Sequence, residues 1–376
     1  MSQQRTQLTN TLAVSGDETR VARLMELAIR GLKPMYDPEA GLFCHRLRKT
    51  PSGNIREGIS QRYTVMTLLG LLRAEAVGYR SPVDISATVD ALYRNTEWVD
   101  NIGDLGLLLW LSSVTSRGWE SFNAAFDLKT ALQKYSDAKK QLTMELAWFL
   151  MGLACATAAA KMGADLEVLT EQTYKLLRSN QGKDGLFGHM ARWNSLSGVV
   201  RGHVGSFADQ VYPICAMSQV GQVFGLKEAS RNALHCGETI CRLQGSLGQW
   251  WWHYDSVTGR VAEQYPVYSV HQHGMAPMAL FALRDACDVD FSDQLYKGLN
   301  WINGANELNQ DLEDAAAGVV WRCIRPANSA SYRARFRTLV GKQPDLSTAE
   351  IVFECRPYEL GWLLYAHARP SSLRHR

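Results

Sequence analysis

Asp104-Leu-Gly-Leu107-Leu108-Leu109-Trp110 reads as helix that turns apolar on every side as soon as its one acidic residue is passed. A helix without a polar face belongs in an interior. The same kind of segment recurs five times more. One copy begins near Gln61-Arg62-Tyr63 and runs into Leu68-Leu69-Gly70-Leu71, and the others begin near Glu145, Asp209, His271-Gln272-His273 and Tyr358-Glu359. Before each lies an amphipathic segment with a charged face: about Glu18–Leu32, Asp84–Tyr93, Trp119–Lys134, Asp165–Leu177, Leu226–Leu243 and Phe291–Ile302. Alternating amphipathic and wholly apolar helices predict an outer and an inner layer. Six outer–inner pairs, with strand-like runs rare, describe an all-α fold: a single (α/α)6 toroid of six helical hairpins with a central cavity, not a bundle or a βαβ fold. The toroid is placed at residues 18–368, with flexible tails at 1–17 and 369–376.

Composition narrows the function classes. Of 376 residues, 46% are apolar and 20% charged, as in a globular chain that buries a sizeable core. Forty basic residues nearly balance 37 acidic ones, so no strong field for a phosphate backbone is implied and nucleic acid is not an expected partner. The eight cysteines form no CxxC pair and no zinc spacing, and they read as reduced core residues. Neither a metal nor a cofactor is expected. Met1 to Arg20 lacks the apolar run of an export signal, and the longest apolar stretch, Leu146 to Ala160, is shorter than the roughly 20 residues of a membrane span. These features point to a cytoplasmic protein without a transmembrane segment. Oligomeric state is not encoded in any feature of the sequence.

If the inner helices all point one way, their N-terminal ends share a face of the ring, where free N–H groups and helix dipoles favour anions. Arg62, Asp104, Glu145, Asp209, His273 and Glu359 then converge around the cavity. The plainer alternative is that they cap helices or pair with one another. The densest chemistry lies between Gln249 and His273, a loop leading into an inner helix. Trp250, Trp251 and Trp252 cannot all enter one core, so at least one should face the cavity, where aromatic faces pack against sugar rings or isoprenoid chains. His253 and Tyr265 are further binding candidates. His271, His273 and Tyr268 are candidates for proton transfer, although i,i+2 spacing sends the two histidines to different sides. Arg201-Gly-His203 through Asp209 to Tyr212 is a second polar entrance, where Asp209 opposed by Asp104 or Glu145 would make the acid/base pair of glycoside hydrolysis. Catalytic candidates are thus Asp209, His271, His273, Tyr268, Asp104 and Glu145. Arg62, Tyr63, His203, the three tryptophans, His253, Tyr265, Arg356 and Glu359 are binding candidates. Arg62, Arg322 and Arg356 suit a carboxylate or phosphate.

Four loops repeat one spacing: Asp37 to Gly41, Gln181 to Gly185, Asp255 to Gly259 and Asp314 to Gly318, with a fifth copy from Gln244 to Gly248. A polar side chain bonding nearby backbone, closed by a left-handed glycine, accounts for it. The Gln-x3-Gly-x-Trp/Phe form at Gln181 and Gln244 resembles the QW repeat of squalene cyclases and related terpenoid-cyclase and prenyltransferase toroids, in which such repeats are structural braces. Asp311-Leu-Glu313-Asp314-Ala-Ala is similar to the DxDDTA acid motif of class II terpene cyclases, with Glu313 at the proton donor. The architecture resembles the six-hairpin glycosidase-like toroids, which include glucuronyl hydrolases, polysaccharide lyases and sugar epimerases. Gln249-Trp-Trp-Trp-His-Tyr-Asp255 and Tyr265 through Pro277 also look like uncharacterised toroid proteins of bacterial polysaccharide gene clusters.

The leading expectation is a carbohydrate-active enzyme, a hydrolase, lyase or epimerase, acting on an acidic saccharide or polysaccharide precursor by metal-independent acid/base chemistry. An isoprenoid cyclase or prenyltransferase-like enzyme is the alternative if aromatics line the cavity and Glu313 points into it. A non-catalytic binding or scaffold protein is the third, if the polar helix entrances are fully paired and no open cavity exists.

Overall fold

The computed structural model describes residues 19–127, 142–159, 165–190, 201–327 and 346–370. The expected tail at 1–17, residues 371–376 of the expected tail at 369–376, and the second half of the outer segment ending at Lys134 lie outside the described residues; Arg369, placed in that tail from sequence, is buried and paired with Asp285. Helices alternate as the pattern requires: α1 (residues 19–32), α2 (Gln61–Ala76), α3 (Ile85–Tyr93), α4 (Ile102–Ser113), α5 (Ser116–Ala125), α6 (Thr143–Ala158), α7 (Asp165–Ser179), α8 (Ala208–Phe224), α9 (Lys227–Arg242), α10 (Ala276–Cys287), α11 (Ser292–Ile302) and α12 (Pro357–His367). Even-numbered helices pack in succession from α2 to α12, and α12 closes on α2, so they form the inner ring of an (α/α)6 toroid. Among the described residues no helix is long and apolar enough to cross a membrane.

Local chemistry sets where the inner helices start. Ser60 caps α2 through Tyr63 N, and Asn101 caps α4 through Asp104 N. Glu145 and Glu359 reach back to the backbone N–H of Leu142 and Arg356, closing the first turns of α6 and α12. Two contacts make the ring tight. A Cβ on Gly70 would stand 2.1 Å from the Gly361 carbonyl oxygen, and one on Gly152 would stand 2.5 Å from that of Gly106. Only glycine lets α2 meet α12, and α6 meet α4, backbone to backbone.

The repeated turns divide into two kinds. Asp37, Asp255 and Asp314 each accept from backbone N–H groups two or three residues on, and their carbonyls accept from Gly41, Gly259 and Gly318, whose φ values are 69–70°. Gln181 and Gln244 instead donate both to the glycine carbonyl of their own turn and to the next outer helix, at Asn232 O of α9 and Gln294 O of α11. The QW-like loops therefore brace one hairpin against the next.

The short strands are a departure from the sequence reading. A hairpin of Leu42–Thr50 and Gly53–Ile59 precedes α2, Val204–Ser206 precedes α8, Val267–Tyr268 precedes α10 and Glu354–Cys355 precedes α12. They are two to nine residues long and mix polar with apolar types, so they carry little alternating signal. Each ends at the entrance of an inner helix. Two of them, Val204–Ser206 and Val267–Tyr268, place Ser206 and Tyr268 at a cavity on the N-terminal face.

Candidate functional site

A cavity of about 260 Å³ opens at the N-terminal ends of the inner helices, and every inner helix except α4 contributes to its wall directly or through the segment leading into it. Arg62, Tyr63 and Met66 come from α2, Met144 and Trp148 from α6, Ser206, Ala208 and Tyr212 from the entrance and first turns of α8. Trp252, Tyr268, His271 and Met275 come from the loop and π-helical turn (His271–Met275) before α10, with Arg322 beside them and Tyr358 from α12. Among these wall residues are two guanidinium groups and four phenols; no carboxylate belongs to the set.

The carboxylates stand behind the wall. Asp104 is fully buried and takes Arg62 Nε and Nη2 at 2.5 and 2.8 Å. Burial pushes its carboxyl up against the opposing pull of Arg62. Arg322 gives Nε to Glu354 at 3.0 Å and Nη1 to the buried Glu359 at 2.6 Å. Burial works against the charge on Arg322, but Glu359 and its other anionic neighbours outweigh it and hold the guanidinium protonated. Since a guanidinium carries five N–H donors, each arginine keeps donors for the cavity. Asp209, also fully buried, accepts from Met144 N, Ser206 N and Oγ, and His189 Nδ1. Glu145, half-buried beside Met144, is pushed up by burial.

The phenols and imidazoles are equally defined. Arg356 donates to Tyr63 Oη at 2.7 Å, which leaves the Tyr63 proton free to donate. The Arg322 guanidinium lies 5.0 Å from the Tyr268 ring centre. Burial raises the Tyr268 phenol even so, and the phenol keeps its proton. His271 packs between Phe207 and Tyr268, with Nδ1 3.4 Å from Trp250 O. Burial drives it down to about 3, and the neutral ring accepts hydrogen bonds without carrying charge.

Of the sequence candidates, Arg62, Tyr63, Trp252, Tyr268, His271 and Arg322 therefore meet at one cavity. Asp104, Glu359 and Arg356 stand one contact behind it, and Asp209 and Glu145 flank the Met144 side. The other candidates lie elsewhere. Trp250 is fully buried and Trp251 nearly so, its indole donating to Leu243 O, so Trp252 is the tryptophan of the three on the wall. His273 is enclosed in the core, and burial drives it down to about 3. Tyr265 donates to Glu307, His253 pairs with Glu263 at 2.6 Å, and His203 lies on the strand side near Asp255. Glu313 pairs with Arg23 and Asn303 beneath the outer helices and not at the cavity, which removes the geometry the cyclase alternative needs. Trp148, Ser206, Tyr212, Tyr358 and His189 were not singled out from sequence. Ser206, Tyr212 and Tyr358 stand in segments that were, but nothing in their spacing marks them as wall residues.

No protein-family model and no curated protein sequence matches the chain. Solved structures do. An unsaturated glucuronyl hydrolase specific for heparin superposes with a TM-score of 0.59 at 15% identity, over 92% of this chain and 96% of that one. The unsaturated glucuronyl hydrolase of Bacillus sp. GL1, responsible for glycosaminoglycan degradation, gives 0.61 at 13% identity, over 92% and 94%. A wild-type glycosidase gives 0.57 at 14% identity, over 93% and 97%. By its fold, with nearly its whole length shared, this chain is an (α/α)6 toroid.

Proposed function

We propose that this protein is a carbohydrate-active enzyme acting on an acidic saccharide, by elimination or epimerisation at a uronate unit. The observation that carries the reading is a wall of two arginines and four tyrosines with the carboxylates drawn behind it. Arg322 and Arg62 supply charged donors for a substrate carboxylate, and Trp252 and Tyr63 supply faces for sugar rings. A carboxylate so neutralised makes the neighbouring C–H acidic. A base takes that proton, the C–H electron pair becomes a double bond, and the glycosidic oxygen leaves with a proton from Tyr268. In epimerisation the same carbanion takes a proton back on its other face.

Hydrolysis is the second reading. It is favoured by Glu145, whose carboxyl is raised by burial beside the wall residue Met144, and by the glucuronyl hydrolases of like fold. Eight cysteines, none in a disulfide, suit a reducing cytoplasmic setting.

The test is incubation with uronate-containing and neutral oligosaccharides, followed by ultraviolet absorbance for an unsaturated product and by reducing-end release. Absorbance rising with uronates alone supports elimination, whereas reducing ends without absorbance support hydrolysis. Removing the Arg322 charge should weaken uronate binding about 10- to 100-fold, from about 1.5–3 kcal/mol for a charged hydrogen bond. Turnover of neutral glycans only, unaffected at Arg322, refutes the uronate assignment.

A further inference from the structure

Proton transfer near neutral pH requires an imidazole that is partly exposed, fixed in tautomer and able to hold charge. His271 and His273 fail on burial. His189, which directly follows the Gln181 turn, meets all three conditions. Its Nδ1 lies 3.0 Å from Asp209 Oδ2, and its ring is 41% exposed while Asp209 is fully buried. With Nδ1–H given to the carboxylate, the opposite nitrogen, Nε2, is the one that exchanges protons.

The same oxygen of Asp209 also accepts Ser206 N and Oγ, each at 2.8 Å, and Asp209 Oδ1 accepts Met144 N at 3.2 Å. Ser206 and Met144 are both wall residues. Thr143 N donates to the His189 carbonyl at 2.8 Å, tying the backbone of His189 to the first residue of α6. Asp209 thus ties the imidazole, which stands one contact behind the wall, to Met144 and Ser206 on the α6 and α8 side of the cavity, while Tyr268 and Arg322 line it on the side of the entrances to α10 and α12.

We propose that His189 is the proton-transfer residue of this cavity and that Asp209 positions it, an inference that rests on the uronate reading above. Asp209 first, and then Glu145, are the charged groups acting on the ring, and they hold its proton more tightly than in a free histidine. In the elimination, Nε2 of the neutral ring takes the proton next to the carboxylate; the electron pair and leaving oxygen follow the course given above, and solvent later takes the proton from the imidazolium and returns one to the Tyr268 phenolate.

The experiment is an imidazole and indole NMR titration of the full chain with a glucuronate-containing disaccharide, joined to pH–rate profiles of His189→Gln and Asp209→Asn. Expected are shifts of both Trp252 and His189 on binding, and a kcat of His189→Gln about 100-fold or more below wild type with KM little changed. The pH-dependent limb near neutrality should vanish in His189→Gln. In Asp209→Asn it should move to lower pH together with the NMR titration of His189. Because His189 is half-exposed, its substitution does not depend on Asp209→Asn folding. Trp252 shifting without His189, or wild-type kcat in His189→Gln, overturns the proposal and leaves the uronate reading intact. If Trp252 itself stays silent, the uronate reading fails and the proposal falls with it.

Discussion

His273 offers the sharpest separation of a buried structural histidine from a working one. Its ring is fully enclosed, and among the described residues neither nitrogen has a hydrogen-bond partner. Burial first, and then His367 and His271, take it from 6.5 down to about 3, and the same force takes His271 to about 3 and His367 to about 4. Below 6.5 the unfolded chain binds a proton at each of these positions that the folded chain refuses. Their contribution to stability is therefore whole above 6.5 and is lost as pH falls toward the folded values. From about pH 7 to about pH 5.5 the loss is about 1.2 kcal/mol per histidine, or about 3–4 kcal/mol for the three. That is a large part of the about 5–15 kcal/mol by which domains are stable. His273→Leu abandons no hydrogen bond and should be neutral to stabilising at pH 7, by about 1–2 kcal/mol. It should also lose about 1.2 kcal/mol less than wild type on acidification. Urea unfolding followed by tryptophan fluorescence at the two pH values measures both quantities. An acid-induced loss as large in His273→Leu as in wild type would refute the buried neutral imidazole, and a collapse of uronate turnover would return His273 to the chemistry.

Two further outcomes follow from the packing and the charges. Gly70→Ala places a methyl 2.1 Å from the Gly361 carbonyl oxygen, so it should cost about 1–3 kcal/mol or more by forcing α2 from α12, visible as a lower urea midpoint. Glu263 is held down to about 2, first by its hydrogen bond to His253 and then, against burial, by the charges of His253 and Arg201. Its contribution is present above 4.5 and is lost as pH falls toward 2. His253→Ala should remove about 1–2 kcal/mol of it after allowance for solvent screening, and flatten the acid limb of the stability curve below about pH 4.5.

The ring was legible because an inner helix of a toroid has no water-facing side, and six segments such as Leu107-Leu108-Leu109-Trp110 state this without reference to partners. The QW-like turns were legible for a similar reason: one of the two bonds that Gln181 and Gln244 each make goes to a glycine four residues away, and local spacing records that local bond, though not the second one to the next outer helix. The site obeys neither condition. Whether Asp209 faces the cavity or holds His189 depends on a backbone contact 65 residues distant, at Met144 N, and on a serine shared with the wall. Sequence therefore marks Asp209 as a polar group at a helix entrance and says nothing of its direction. His271 and His273 show the limit most clearly. Their spacing separates them onto two sides of one turn, but the choice of side is made by Phe207 and Tyr268, which pack on His271, and by α12, which encloses His273. Residue type nominates a histidine for proton transfer; enclosure decides whether it can hold the proton. On that criterion the partly open His189, on its buried carboxylate, has the better claim.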